Sequence, residues 1–468
     1  MRLLAVLLTA CCVLAEGVDD RRSTQYVSRR KNRHQEYRHH RRRSLKGIVK
    51  NDTPTPAPMF DFSRAIVVPP PVAAPSSSPS LSSIGIRRLI ASVAIWGGLE
   101  FIWGPGYQSK ALWYLENVLS PVSSEEYVIY YVLACIYYAS TGVRNGKTDS
   151  MIPVDPKSLE GWLSSDNWVT DSDKCTWYGI TCNAANQVIG IDLPDNQMLG
   201  LFAPETQLLG DTLEVLDLSG NLFLSTEYDN GNSWMAKMTQ LRKLLVAETS
   251  FGYNGIPVYF NGMVALEELD ISNTFFTGGP IRGEAFEGLT NLRYLDMSCN
   301  VYTSTVPSII TNLPNLEYFY LENVEFAGVT QSLNFLVDMP SIKECWVDKT
   351  LFEGGIPSEL GTVTTLASFS ASDCGLYGPL PSGLGNMQAM NRIWLYENEL
   401  TGSIPTELSN LQQLKFLSVE GNRLTGEFPD EVCSVESLQS IGADCDSGSD
   451  NFVVCPCCTC CGVAECKG

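Results

Sequence analysis

The sequence predicts an α/β fold: a right-handed solenoid of short repeats with one parallel sheet on its concave side and a cap at each end. Three observations carry this reading. The pattern Leu-x-x-Leu-x-Leu-x-x-Asn-x-Leu-x-Gly recurs ten times, from Val188, Leu213, Leu241, Leu266, Leu292, Leu316, Ile342, Leu366, Met390 and Leu414, and Leu438 opens a truncated eleventh copy. The spacing between copies runs from 24 to 28 residues. Outside the repeats, helix signals precede Val188, and eight cysteines crowd the chain from Cys433 onward. A single repeat cannot bury its apolar face alone, so stacked copies need covers at both ends.

A period of about 20–29 residues with this consensus is the leucine-rich-repeat signature. The consensus leucines fill the core, and each Leu-x-x-Leu-x-Leu segment supplies one short strand. Ten repeats therefore give ten parallel strands over residues 188–437. The Asn column, with Asn196, Asn221, Asn300, Asn398 and Asn422, is placed to bond backbone groups where the chain leaves the strand. Thr249, Thr274, Thr350 and Cys374 take this place elsewhere, while Val324 cannot make the bond. Irregularity is expected in the repeats beginning at Leu213 and Leu316.

The ends follow in chain order. Residues 1–15 have a basic second residue, an apolar run and small residues at Val13 and Ala15, the pattern of a secretory signal. Residues 16–50 read as a disordered basic arm, and all three histidines, His34, His39 and His40, lie in it. Residues 51–83 form a Pro/Ser-rich spacer carrying the sequon Asn51-Asp52-Thr53, a candidate glycosylation site. Residues 84–187 read as a helical cap. There Ser123 with Glu125 and Glu126 opens a helix that is apolar almost all round and so should be buried. The apolar stretch 84–103 is interrupted by Arg87, Arg88 and Glu100. Packing against the first repeats is the preferred use of it, and a membrane anchor leaving the repeats outside is the alternative.

Removing residues 1–15 leaves 14 cysteines. Cys175 and Cys182 are expected to close a loop at the amino-terminal cap. Cys135, Cys299, Cys345 and Cys374 fall where a buried free thiol fits. Cys433, Cys445 and the six beyond them, in the cap and tail 438–468, are read as disulfides of unreadable connectivity, with thiolate metal binding as the competing use. No metal is expected.

Composition narrows function. Residues 1–50 hold 13 Lys or Arg against 4 Asp or Glu, which leaves 19 against 48 in residues 51–468, a balance of −29. An acidic body of this kind excludes nucleic acid as the ligand of the repeats. Histidine is absent after residue 40, and no carboxylate pair converges on a pocket. Catalysis and cofactors are therefore not expected.

Two columns of each repeat project from the concave sheet. The first reads Asp192, Asp217, Leu245, Asp270, Asp296, Tyr320, Trp346, Ser370, Trp394 and Ser418. Its aspartates are taken as structural and its aromatics as candidates. Tyr294, Tyr318, Tyr320, Trp346, Arg392, Trp394, Tyr396 and Phe416 together form a candidate ligand-binding patch.

The segments Gly355-Ile356-Pro357-Ser358-Glu359-Leu360-Gly361 and Gly402-Ser403-Ile404-Pro405-Thr406-Glu407-Leu408, with Cys175-x-Trp177-x-Gly179-x-x-Cys182, resemble the plant-type extracellular leucine-rich-repeat family. The resemblance covers about residues 125–445. Departures are the basic arm, the Cys-rich tail and the lack of a following kinase domain; these look more like repeat proteins of algae such as diatoms. The resemblance implies a secreted or cell-surface recognition protein whose concave face binds a protein or a glycan. Its alternatives are an inhibitor of wall-degrading hydrolases and a structural adhesion component.

Overall fold

The computed structural model describes residues 81–93, 106–141, 162–225, 234–251, 256–274, 277–445 and 453–461. The signal, the basic arm, the sequon at Asn51 and residues 94–105 lie outside them.

Thirteen strands form the concave sheet. They are β1 (Ile180–Cys182), β2 (Val188–Asp192), β3 (Val215–Asp217), β4 (Lys243–Leu245), β5 (Glu268–Asp270), β6 (Tyr294–Asp296), β7 (Tyr318–Tyr320), β8 (Glu344–Trp346), β9 (Ser368–Ser370), β10 (Arg392–Trp394), β11 (Phe416–Ser418), β12 (Ser440–Ala443) and β13 (Cys460–Cys461). The ten expected strands are β2 to β11. Three more extend the sheet: β1, antiparallel to β2, then the truncated repeat as β12, and β13 from the Cys-rich tail.

Register is set by the core row. Ile191, Leu216, Leu244, Leu269, Leu295, Phe319, Cys345, Phe369, Ile393, Leu417 and Ile441 are aligned across successive strands, and none is more than 2% exposed. A slip of one residue would turn this row to solvent, so burial pins the pairing.

After each strand the chain turns through one left-handed residue. Asp195, Gly220, Glu248, Asn273, Cys299, Asn323, Lys349, Asp373, Glu397 and Gly421 all have positive φ. Non-glycine residues adopt that conformation at a cost of about 1 kcal/mol each, and the next side chain offsets it by bonding. Asn398 Oδ1 accepts from the Cys374 and Leu376 amides at 3.0 and 3.1 Å, while its Nδ2 donates to Ala371 O and Leu395 O. Asn221 spans its two repeats in the same way. Asp444 closes the column by accepting from the Gly421 and Asn422 amides.

The repeat beginning at Leu316 is regular, against expectation. Val324 makes no side-chain bond, but Thr350 of the following repeat accepts from the Val324 amide at 2.9 Å and donates to Leu321 O, so the turn is held from the next repeat. In the repeat beginning at Leu213, residues 226–233 lie outside the described residues.

On the opposite side, Pro357, Pro381 and Pro405 each precede a short 3-10 helix. Proline pre-sets the entry dihedral there and sacrifices no needed donor. These helices stack backbone on backbone. A Cβ on Gly385 would lie 2.2 Å from Glu407 O, and one on Gly361 would lie 2.1 Å from Gly383 O.

The amino-terminal cap comprises helices α1 (Ser83–Val93), α2 (Tyr107–Asn117) and α3 (Ser124–Ser140). Ser123 and Glu126 form a reciprocal capping box at the start of α3, whose Tyr127 and Tyr130 to Ile136 are buried. Trp162, Trp168 and Trp177 pack in series, with ring centroids 4.7 and 5.1 Å apart, against Tyr137, Tyr130 and Tyr114. α1 is tied to α2 by the Arg87–Glu116 pair, with Nε and Nη2 of Arg87 each donating at 2.6 Å to one carboxylate oxygen. No described helix is long and apolar enough to cross a membrane.

Cys175 and Cys182 are bonded, as expected. Cys433 pairs with Cys457, and Cys455 with Cys458. Cys445 is also disulfide-bonded, and so is Cys299, which corrects its reading as a free thiol. Cys135, Cys345 and Cys374 are buried thiols outside any disulfide. Among the described residues no group of His, Cys, Asp or Glu is arranged to hold a metal ion.

Candidate binding face

Side chains two apart on a strand share a face, so each concave strand presents its first and third residues together. In the amino-terminal half the third residue is aspartate in β3, β5 and β6, with Leu245 in β4, and these aspartates are bonded within their own strand and turn. Asp217 Oδ1 accepts from the Ser219 amide and hydroxyl at 3.1 and 2.7 Å, and Asp270 Oδ1 accepts from Ser272 at the same distances. Asp296 accepts from the Ser298 amide at 2.9 Å. These aspartates are buried turn-holders.

Asp296 lies cross-strand between Asp270 and Tyr320. Burial, then the Asp270 charge, pushes its carboxyl up to about 7, with Glu322 adding to the rise and the Ser298 bonds opposing it.

From β6 onward aromatic rings replace these acids. Tyr294 and Tyr320 have ring centroids 5.4 Å apart, Tyr320 and Trp346 are 5.2 Å apart, and Trp346 and Trp394 are 6.1 Å apart. The last contact crosses β9. There Ser368 and Ser370 are small enough for Trp346 to lean over them, and its indole N–H donates to Ser368 Oγ at 3.0 Å. Tyr318 joins the row beside Tyr294. On β10 the Arg392 guanidinium lies 6.0 Å from the centre of the Phe416 ring.

Tilted pairs of this kind are each worth about 0.5–1.5 kcal/mol beyond burial. They build a ladder that is part scaffold and part surface. Tyr320 and Trp346 are only 9% exposed, which corrects their reading as open anchors. Each ring sits between its neighbours, and Tyr320 donates to Glu344 Oε1 at 2.6 Å. Burial, with that carboxylate beside it, pushes the Tyr320 phenol well above its ordinary range. Tyr294, Tyr318, Arg392, Trp394, Tyr396 and Phe416 are partly buried and keep accessible surface.

A third column is decisive for the electrostatics, and the sequence reading passed over it. The residues just after the first consensus leucine read Glu214, Arg242, Glu267, Arg293, Glu317 and Lys343, alternating in sign through six consecutive repeats. In space they form a ladder: Arg242 meets Glu214 at 4.0 Å and Glu267 at 2.8 Å, and Glu317 meets Arg293 and Lys343, both at 2.9 Å. Lys243 is paired beside it with Glu268 at 2.6 Å. Beyond Lys343 the column reads Ala367, Asn391 and Lys415, so the alternation stops past β8, after overlapping the first aromatic strands. Reading this column at the repeat period would have revealed the ladder.

Residues 264–324 match the family described as Leucine rich repeat, and a second pattern of the same description matches residues 413–435. The chain is similar to Receptor-like protein 7 of Arabidopsis thaliana, 31% identical over 126 residues, covering 27% of this chain and 10% of that protein. It is also similar to the Serine/threonine-protein kinase BRI1-like 1 of the same plant, 27% identical over 185 residues, covering 39% of this chain and 15% of that one. The chain thus spans a small fraction of the length of these relatives. Among solved structures, a TDR receptor aligns with a TM-score of 0.48 at 25% identity, covering 54% of this chain and 42% of that one. The plant peptide hormone receptor RGFR1 in complex with RGF2 aligns with a TM-score of 0.43 at 19% identity, covering 58% and 54%.

Proposed function

We propose, on the premise that this chain is a leucine-rich-repeat protein whose relatives are plant receptor-like proteins, that it is a non-enzymatic recognition protein of the cell exterior. Its ligand is a protein or peptide, bound on the carboxyl-terminal half of the concave face. The observation that supports this most is the unbroken aromatic row from Tyr294 to Trp394, with Arg392 over Phe416 at its end. Rigid Trp and Tyr side chains lose little freedom on binding, and with Arg they are the residues enriched among those that dominate protein interfaces. Secretion or surface display follows from the signal at residues 1–15, with single-pass anchorage through 84–103 as the alternative topology.

The test is capture of extracellular peptides and proteins by the purified protein, beside an array of oligosaccharides. Partly accessible Trp394 and Arg392 are the informative positions, because the nearly buried Trp346 would confound folding with binding. Trp394→Ser with Arg392→Gln should lose protein capture by at least about thirtyfold, the effect of removing a hot spot worth about 2 kcal/mol. Retained capture by that double variant would move the site elsewhere, and binding to oligosaccharide alone would replace the protein ligand with a glycan.

A further inference from the structure

The carboxyl-terminal cap holds two disulfides of different kinds within four residues. Cys433–Cys457 has a sequence separation of 24 and joins the helical turn Asp430–Cys433 to the tail. Cys455–Cys458 has a sequence separation of 3 and closes only the turn Cys455-Pro456-Cys457-Cys458, the C-x-x-C spacing of exchangeable dithiols. Both of its cysteines are partly exposed. The turn lies between Val453–Val454, which pairs with Gly426–Glu427, and β13.

We propose that Cys455–Cys458 is a thiol–disulfide exchange site, reduced by an external dithiol while the other described disulfides persist. A thiolate of the dithiol attacks one sulfur of the pair and releases the other as a thiolate, giving a mixed disulfide. The second thiolate of the reagent then displaces the remaining protein sulfur. Two electrons pass to the protein, the reagent leaves as its own disulfide, and its two protons end on Cys455 and Cys458.

Two physical reasons single out this bond. Its loop is so short that closing it removes little entropy from the unfolded chain, whereas Cys433–Cys457 removes much more. Reduction also leaves the neighbouring backbone pairing in place. Thr459 still donates its amide to Ile441 O at 3.0 Å, and its hydroxyl oxygen accepts from the Ile441 amide at 3.1 Å, bonds made outside the disulfide turn. The cap can therefore gain a reactive dithiol without coming apart.

The experiment titrates the whole native protein with dithiothreitol, traps thiols with an alkylating reagent, and maps them by mass spectrometry. Labels on Cys455 and Cys458 should appear at reductant concentrations about tenfold lower than labels on Cys433 or Cys457 and about threefold lower than labels on Cys175 or Cys182, the ratios expected from the differences in loop closure. Simultaneous labelling, or earlier labelling of Cys433–Cys457, overturns the proposal. Cys455→Ser with Cys458→Ser should abolish the first labelling phase and leave the Cys433–Cys457 phase at its original concentration. A shift of that second phase to lower concentration also overturns it, because the short bond would then be holding the cap together.

Discussion

The two halves of the concave sheet share one backbone and differ in what they offer to solvent. Strands β3, β5 and β6 carry aspartates whose oxygens accept from serines two residues on, beside an edge of alternating charges that continues to β8. Strands β6 to β11 carry rings that touch one another across strands and an arginine resting on a phenylalanine. The first half spends its polar groups on itself, and the second keeps apolar surface. In a repeat protein the scaffold positions cannot vary without disturbing every neighbour, so difference collects in the projecting slots.

The sharpest break of this contrast lies in binding. Asp217→Asn with Ser219→Ala, in the first half, should leave capture within about twofold, against the thirtyfold or greater loss expected at Trp394 and Arg392. Equal losses in surface-based binding measurements would mean that both halves contact the ligand.

Stability should separate the aromatic ladder into its buried and open parts. Trp346→Ala, removing a ring wedged between Tyr320 and Trp394, should destabilise by about 3–5 kcal/mol in denaturant unfolding. Phe416→Ala, partly exposed, should cost less than half of that. Similar costs at both positions would show that the ladder is uniformly core.

A pH series tests the acidic half. The Asp296 carboxyl is raised above its unfolded value, so its contribution to stability is fully present below about pH 4 and is lost as pH rises toward about 7. Asp296→Asn keeps the acceptor for the Ser298 amide and should remove that decline. A variant whose unfolding midpoint follows the same pH curve as the native protein would place the titration on another group.

The smallest effect belongs to the charged edge. Glu267→Gln breaks the 2.8 Å pair with Arg242, both partners being about a third exposed. It should cost only about 0.2–1 kcal/mol at low salt and nothing measurable at about 1 M. A salt-independent loss would mean that Glu267 acts through packing.

Much of this was legible in advance because it is local and periodic. Leu269, Leu295 and their counterparts announce the core row by spacing alone, and Asn221 and Asn398 announce the turns they bond. The Asp column reads as scaffold in the sequence, and Asp217, Asp270 and Asp296 are buried and bonded to serines of their own turns. Less legible were contacts that depend on what stands one repeat away. Val324 looks like a defect in the sequence, yet its turn is held by Thr350 of the next repeat, and Tyr320 and Trp346 look open, yet neighbouring rings pack against both and Trp346 leans over two small serines. The charged edge was visible in the sequence at the repeat period, but only distances show that Arg242, Glu267, Arg293 and Glu317 meet.

By itself, then, the sequence determined the solenoid, its strand register and the face on which the aromatic residues lie, because a fixed period with an apolar core admits one stacking. Only the tertiary structure decided which of those aromatics remain accessible, which cysteines pair, and how the last repeat is covered by β12 and β13. Those outcomes depend on the sizes and distances of side chains brought together from different repeats, and no single repeat contains that information.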